Sequence, residues 1–184
     1  MSKKIALVVG HRSSSRGAYG NVGISEFYFN KEFVMELMEI LKRENFGHTY
    51  KVFYRSDARS GYTDRMIDLH SRIDQWGADI SIEFHFNAAG NLSVDGHEVL
   101  YCSKKGELLA KNLEYIFTKT LGTTNRGVKK RTMSERGGGF LCRGKSVCLI
   151  SEPFFAAHQN RFVVGGDLRD ALIKSYVDFF ALLM

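Results

Sequence analysis

The stretch "IALVVGHRSSSRGAYGNVGISE", residues 5–26, opens with an apolar run that ends at Gly10 and His11. A short, unbroken apolar run of this kind predicts a strand that is buried on both faces of a sheet. A loop rich in serine and glycine follows, and Glu26 stands where a helical pattern begins. A buried strand, a loop and a helix in this order favour an α/β fold.

The rest of the chain repeats this alternation of strands and helices. Strands are predicted at residues 4–10, 50–55, 78–86, 96–102 and 146–152. Helices are predicted at residues 25–44, 63–76, 104–120 and 166–183. The length of 184 residues suits one domain, and the alternation predicts a single α/β domain over residues 1–184 with helices on both faces of its sheet.

The net charge and the hydropathy of the sequence indicate which kinds of partner to expect. The net charge is +6 and the isoelectric point is about 9.2, which favours an anionic partner, although a solvated basic surface explains the charge equally well. No nucleic-acid motif accompanies the basic residues, so we expect no nucleic-acid partner. No apolar run approaches the roughly 18 residues of a membrane span, so we expect no stable membrane association.

The N-terminus and the cysteines bear on the compartment. The apolar run stops after Val9 with no small-residue cleavage site, which predicts synthesis in the cytoplasm without an export signal. Cys102, Cys142 and Cys148 are odd in number and lack paired spacing, so the sequence argues against both a disulfide framework and a thiolate zinc site. We expect Cys148 to be a core residue and Cys142 to be a partly exposed thiol.

Three polar residues follow or end apolar strands: His11, His85 and Glu152. Ligand sites of α/β sheets gather outside the carboxyl ends of the strands, so these side chains are expected at one edge. His11, Glu26 and His85 could hold a catalytic metal, with Glu152 as the base. Their separations are too long for a local ligand motif. Surface histidines and a carboxylate favoured by the helix dipole remain an equally good explanation of the residues alone.

An ordered set of short motifs resembles the zinc-dependent N-acetylmuramoyl-L-alanine amidases of the Amidase_3 family. The matching elements, in chain order, are "GH" at 10–11, "EFYFN" at 26–30, "YKVFYRSD" at 50–57, Arg72, Ala78 with Asp79, "HFNA" at 85–88, "GHEVLY" at 96–101, "NRGVK" at 125–129 and "VCLISE" at 147–152. The resemblance covers nearly the whole chain. It implies a central, mostly parallel or mixed sheet of about six strands.

The resemblance also implies a site and a reaction. It makes His11, Glu26 and His85 the ligands of a Zn²⁺ cofactor and Glu152 the catalytic acid/base. The implied substrate is peptidoglycan, cut between N-acetylmuramic acid and L-alanine. Asn87 is a candidate oxyanion donor, although a turn residue at the strand end is the favoured explanation.

The chain departs from the family pattern at three places. Glu83 and Phe84 stand before the second histidine, where serine and isoleucine are usual. Residues 153–155 read Pro-Phe-Phe after the catalytic glutamate, and Ser146 replaces a usual proline. These changes are expected to alter the wall of the pocket, and hence the specificity rather than the zinc.

With no separate wall-binding domain expected, the chain is similar to a compact phage endolysin. We expect a monomer, held to anionic wall polymers by its charge and acting on the cell wall after release. A zinc peptidase that cuts another stem-peptide bond and a wall-binding module with a dead site remain alternatives. Of the other histidines, His70 is the strongest further ligand candidate, while Arg72 is expected to be structural.

Overall fold

The computed structural model describes residues 2–58 and 61–184, in which strands and helices alternate through most of the chain. The first half contains β1 (Lys4–Val9), α1 (Glu26–Glu44), β2 (Thr49–Tyr54), α2 (Tyr62–Trp76) and β3 (Ile80–Phe84). The second half contains β4 (His97–Tyr101), α3 (Lys104–Thr120), β5 (Asn125–Lys130), α4 (Gly138–Leu141), β6 (Val147–Glu152), a 3₁₀ helix (Ala156–Arg161) and α5 (Arg169–Ala181).

One six-stranded mixed sheet runs through the domain in the order β2-β1-β3-β6-β4-β5. The strands β2, β1, β3 and β6 are mutually parallel, whereas β4 runs antiparallel to β6 and parallel to β5. The carboxyl ends of β1, β3 and β6 therefore meet at one edge, and β4 begins there. The α/β class predicted from the sequence is confirmed, and so is the mixed sheet of about six strands that the family resemblance implies.

Apolar side chains cover both faces of the sheet. Ile5, Leu7 and Val9 point into a core built with α1, α3 and α5. Ala6 and Val8 face the opposite way, into a smaller core built with α2 and α4. Alternate residues of a strand point to opposite faces, so β1 needs an apolar residue at every position. This two-sided burial explains the unbroken apolar run in the sequence.

Three elements were not expected from the sequence. The edge strand β5 is polar, with Val128 as its single side chain packed against the core. The helix α4 has four residues, two of them glycines, and residues 156–161 form a 3₁₀ helix where the sequence predicts neither a helix nor a strand. Elements this short, with weak hydrophobic periodicity, cannot be recognised from the hydrophobic pattern of the sequence. Among the described residues, no helix combines the length and hydropathy that a bilayer crossing requires.

Two expectations about the cysteines are wrong: a disulfide is present, and Cys142 is not a free thiol. Cys102, directly after β4, and Cys142, directly after α4, form a disulfide with Cα atoms 5.5 Å apart. They lie 40 residues apart in the sequence, so only the fold shows that they meet. Cys148 is a buried free thiol, as expected, and burial raises its pKa to about 12.

Reduction of this disulfide is expected to lower the melting temperature. Opening a loop of this length typically costs about 2–4 kcal/mol, because the unfolded chain gains conformational freedom. Thermal unfolding with and without reductant measures the effect. The double variant Cys102→Ser, Cys142→Ser is the control, and its melting temperature should be the same with and without reductant. Three titratable thiols in the denatured, unreduced wild type, rather than one, would contradict the disulfide.

Candidate active site

The site lies at the carboxyl edge of the sheet. His11 lies two residues beyond β1, His85 comes directly after β3, and Glu26 is the first residue of α1. The amide of Gly10 donates to the carbonyl of Phe84 at 3.0 Å, which ties the two strand ends together. His11 adopts a left-handed backbone with φ 64°, and this turn directs the chain out of the sheet.

These three side chains form a tight cluster. Glu26 Oε2 lies 2.9 Å from His11 Nε2, and Glu26 Oε1 lies 2.7 Å from His85 Nδ1. One ligand atom from each of the three residues lies within 4.8 Å of the others. Within residues 2–58 and 61–184, this is the one cluster of three or more such groups that could hold a metal ion. Two imidazole nitrogens and one carboxylate suit zinc chemically.

Glu26 is ionised in spite of its burial. Burial by itself would raise the pKa of the carboxyl, but its close contacts with His11 and His85 outweigh burial and hold the pKa well below its usual range. The amides of Ala18 and Phe86 also donate to the carboxylate, at 3.2 and 3.1 Å. The loop and the strand end thus hold this carboxylate in one orientation.

A second buried carboxylate, Glu83, lies behind His85. Arg55 Nε donates to Glu83 Oε1 at 2.8 Å, and Glu83 Oε2 lies 3.2 Å from His85 Nε2. Burial would raise the pKa of Glu83, but the charges of Arg55 and then His85 lower it to about 2. In the sequence, Glu83 is distinguished only by its departure from the family pattern. The available signal was a single acid inside the apolar strand "ISIEF".

Glu152, the last residue of β6, lines a cavity that His11 and His85 also line. This cavity of about 210 Å³ is lined by His11, His85 and Glu152 together with Arg55, Tyr62, Leu100, Glu135, Arg136, Gly137 and Ile150. Glu152 is 5% exposed, and an Arg136 guanidinium nitrogen lies 4.0 Å from its Oε1. All four residues predicted at this site therefore lie at one edge of the sheet.

The environment of Glu152 differs from that of Glu26. Burial raises the pKa of Glu152, the neighbouring Glu98 raises it further, and His85 and Arg136 only partly oppose this, so the pKa is about 7. Glu98 is the cross-strand partner of Glu152 in the antiparallel pair β4–β6. A carboxyl that titrates near neutral pH can both accept and return a proton.

Asn87 lies beside the site. Its Nδ2 donates to Glu98 Oε1 at 2.9 Å, and its backbone amide donates to the carbonyl of Phe154 at 2.8 Å. Arg126 Nε donates to the other oxygen of Glu98 at 3.2 Å. Asn87 thereby supports the neighbour of Glu152, and its contact with a substrate stays a prediction.

Three further polar residues lie outside the cluster. His97 is buried and its ring nitrogens contact the hydroxyls of Thr123 and Thr118. His70 is buried on α2, where burial lowers its pKa, and it lies outside the metal-type cluster. Arg72 donates to the carbonyl of Tyr54 at 2.8 Å, in line with the structural task expected for it.

The fold and the site together define an α/β domain with a His-Glu-His set and a further buried acid at one sheet edge. The chain belongs to the Amidase_3 family, N-acetylmuramoyl-L-alanine amidase, whose model matches residues 5–162. The family expected from the sequence motifs is confirmed.

Solved structures of amidases share the fold. The catalytic domain of the CD27L endolysin targeting Clostridia Difficile superposes with a TM-score of 0.78 at 24% identity, covering 96% of each chain. The catalytic domain of CwlV, an N-acetylmuramoyl-L-alanine amidase from Bacillus (Paenibacillus) polymyxa var. colistinus, gives 0.78 at 17% identity, covering 98% of this chain and 97% of that one. AmiC2 of Nostoc punctiforme gives 0.76 at 16% identity, covering 96% and 94%. No curated protein matches the sequence.

Gly17→Ala is expected to damage the cluster. A Cβ built at Gly17 lies 2.6 Å from Glu26 Oε2 and 2.7 Å from the His11 ring, so these groups must move apart. Gly23→Ala is the matched control, since Gly23 lies in the same loop, has nearly the same φ (+78° against +76°) and has open space around its Cβ. Gly17→Ala should bind zinc at least about tenfold more weakly, as measured by chelator competition. Equal losses in both variants would mean that backbone strain alone is responsible.

Glu152→Gln is expected to stabilise the metal-free protein above neutral pH. The folded-state pKa of about 7 exceeds the ordinary value of 4.5, so ionisation costs folding free energy. The cost is absent below about pH 4.5 and complete above about pH 7, where removing it should gain on the order of 1–3 kcal/mol. Denaturant unfolding with chelator at pH 5 and pH 8 measures this.

Glu135→Gln serves as the control, because it removes an exposed acid at the same cavity. Hydrogen bonds from the amide and hydroxyl of Thr132 lower the pKa of Glu135, so its loss should not stabilise the protein at pH 8. A stability difference between Glu152→Gln and wild type that is identical at the two pH values would show that Glu152 titrates normally.

Proposed function

We propose that this protein is a zinc-dependent peptidoglycan hydrolase that cleaves the amide between N-acetylmuramic acid and the L-alanine of the stem peptide. The observation that carries the proposal is the cluster of His11, Glu26 and His85, whose two histidines line one cavity together with Glu152, in a chain of the amidase family. Peptidoglycan as substrate follows from membership of the family.

The side chains fit a zinc ion. Glu26 presents one oxygen to each histidine, and its backbone donors hold it in this orientation. His11 and His85 supply the nitrogen ligands, through Nε2 and Nδ1 respectively. When bound, zinc would supply a Lewis acid that polarises the scissile carbonyl and makes water more acidic.

Glu152 is the acid/base in this proposal. In its ionised form it accepts a proton from the attacking water, and in its protonated form it gives that proton to the leaving amine of L-alanine. A pKa near 7 allows both states at neutral pH, and the buried position keeps bulk water from competing for the proton. The exposed Arg136 at the cavity mouth adds a positive charge beside this carboxyl.

We further propose an endolysin-type role, in which the protein acts on the wall after release. The support is indirect: an endolysin catalytic domain shares the fold, and the net charge of +6 favours anionic wall polymers. Binding of this kind weakens as salt rises, because exposed charges are screened. A sedimentation assay with purified cell walls at low and high salt examines it.

Glu152→Gln should keep its zinc and lose hydrolysis of purified peptidoglycan by about 10²–10⁴-fold, since one positioned acid/base contributes that much. Metal content and release of new amines are measured on the same samples. His11→Ala is the companion variant and should lose both zinc and activity.

Mass spectrometry of the soluble products decides which bond is cut. Free lactyl groups together with new L-alanine amines support the amidase. Cleavage between two stem-peptide residues would favour the peptidase, and wall binding with no new amine would favour a dead module. Near wild-type turnover of Glu152→Gln would overturn the acid/base assignment.

A further inference from the structure

We propose that Glu83, held by Arg55, is a positioning residue that fixes the His85 ring so that its Nδ1 atom, and not Nε2, is presented to the metal. This inference rests on the proposed function, because it concerns the same site. It assigns a task to the acid that distinguishes this chain from the usual family pattern.

The His85 ring lies between two carboxylates. Its Nδ1 is 2.7 Å from Glu26 Oε1, within the cluster, and its Nε2 is 3.2 Å from Glu83 Oε2, outside the cluster. Metal-binding histidines generally direct the second ring nitrogen to a carboxylate, a carbonyl or a water, which fixes the ring orientation. Glu83 stands where that second partner belongs.

Strand geometry puts Glu83 in this place. Residues two apart on a strand point to the same face, so Glu83 and His85 project from the same side of the chain at the end of β3. The ring is also confined from the side of β1, since a Cβ added at Gly10 would lie 2.7 Å from His85 Cε1. Packing restricts the position of the ring, and Glu83 decides which nitrogen faces the cluster.

The two oxygens of Glu83 have separate partners. Oε1 accepts from Arg55 Nε at 2.8 Å and also contacts the Nη2 atom of Arg55. Among the described residues, Oε2 makes no hydrogen bond of standard geometry, and the Glu83 side chain is fully buried. A buried carboxylate oxygen needs a donor, and an N–H at His85 Nε2 would supply it.

Arg55 stabilises the buried carboxylate of Glu83 by an ion pair. Its positive charge balances the negative charge of Glu83, which would otherwise be buried without an ionic partner. The guanidinium also lies over the Tyr62 ring at 5.8 Å, and both side chains line the cavity. The ring of His85 is therefore supported by a chain of contacts from Tyr62 through Arg55 to Glu83.

Glu83→Gln tests the inference with little change in volume. Because Arg55 is a donor, it will hold the amide oxygen, and the NH₂ group will then face His85 Nε2. Two donors cannot pair, so the ring loses its fixed orientation. We expect zinc affinity to fall about 10–100-fold, measured by competition with a chromophoric chelator.

Glu98→Gln is the matched control for zinc affinity. It makes the same substitution at another buried carboxylate of this edge, one that contacts Asn87 and Arg126 and is not part of the ligand cluster. Its zinc affinity should stay within about twofold of wild type. A loss as large as that of Glu83→Gln would show a general response to lost buried charge and overturn the inference.

Nitrogen NMR of the zinc-loaded wild type shows which ring nitrogen of His85 binds the metal and which one carries the proton. The inference requires a metal-bound Nδ1 and a protonated Nε2 at His85, and a metal-bound Nε2 would overturn it even if Glu83→Gln failed to fold. If the wild type bound no zinc, the proposed function itself would fail. If the wild type bound one zinc and Glu83→Gln bound it equally well, only the role of Glu83 would fail.

Discussion

The carboxylate of Glu26, buried between His11 and His85, is the interaction on which the rest of the site depends. A charge in this position is costly to bury unless it is paired and hydrogen-bonded, and here two histidines and two backbone amides share it. The arrangement requires the ends of β1 and β3 to be adjacent and the helix α1 to begin against them. The parallel sheet provides both conditions.

Two carboxyl groups at this edge of the sheet differ in their protonation behaviour. Hydrogen bonds keep Glu26 ionised, whereas burial and Glu98 move the pKa of Glu152 to about 7. Groups whose environments push their pKa values apart take different tasks in an active site. In the proposed mechanism, Glu26 binds the metal and Glu152 transfers the proton.

The sequence predicted the strands and helices whose hydrophobic pattern is unambiguous. His11, His85 and Glu152 follow or end apolar strands, which predicted that they share one edge of the sheet. Glu26 stands at the start of a segment with helical periodicity. The sequence could not show the Cys102–Cys142 disulfide, because proximity across 40 residues is a property of the fold. The task of Glu83 stayed hidden for the same reason, since its partner Arg55 lies 28 positions away on another segment.

Anomalous X-ray scattering at the zinc edge, from crystals of zinc-loaded protein, tests the central claim most directly. A single peak is expected about 2.0–2.2 Å from His11 Nε2, a Glu26 oxygen and His85 Nδ1, the distances typical of zinc with such ligands. The absence of a peak at this cluster, or a peak on other side chains, would contradict the account.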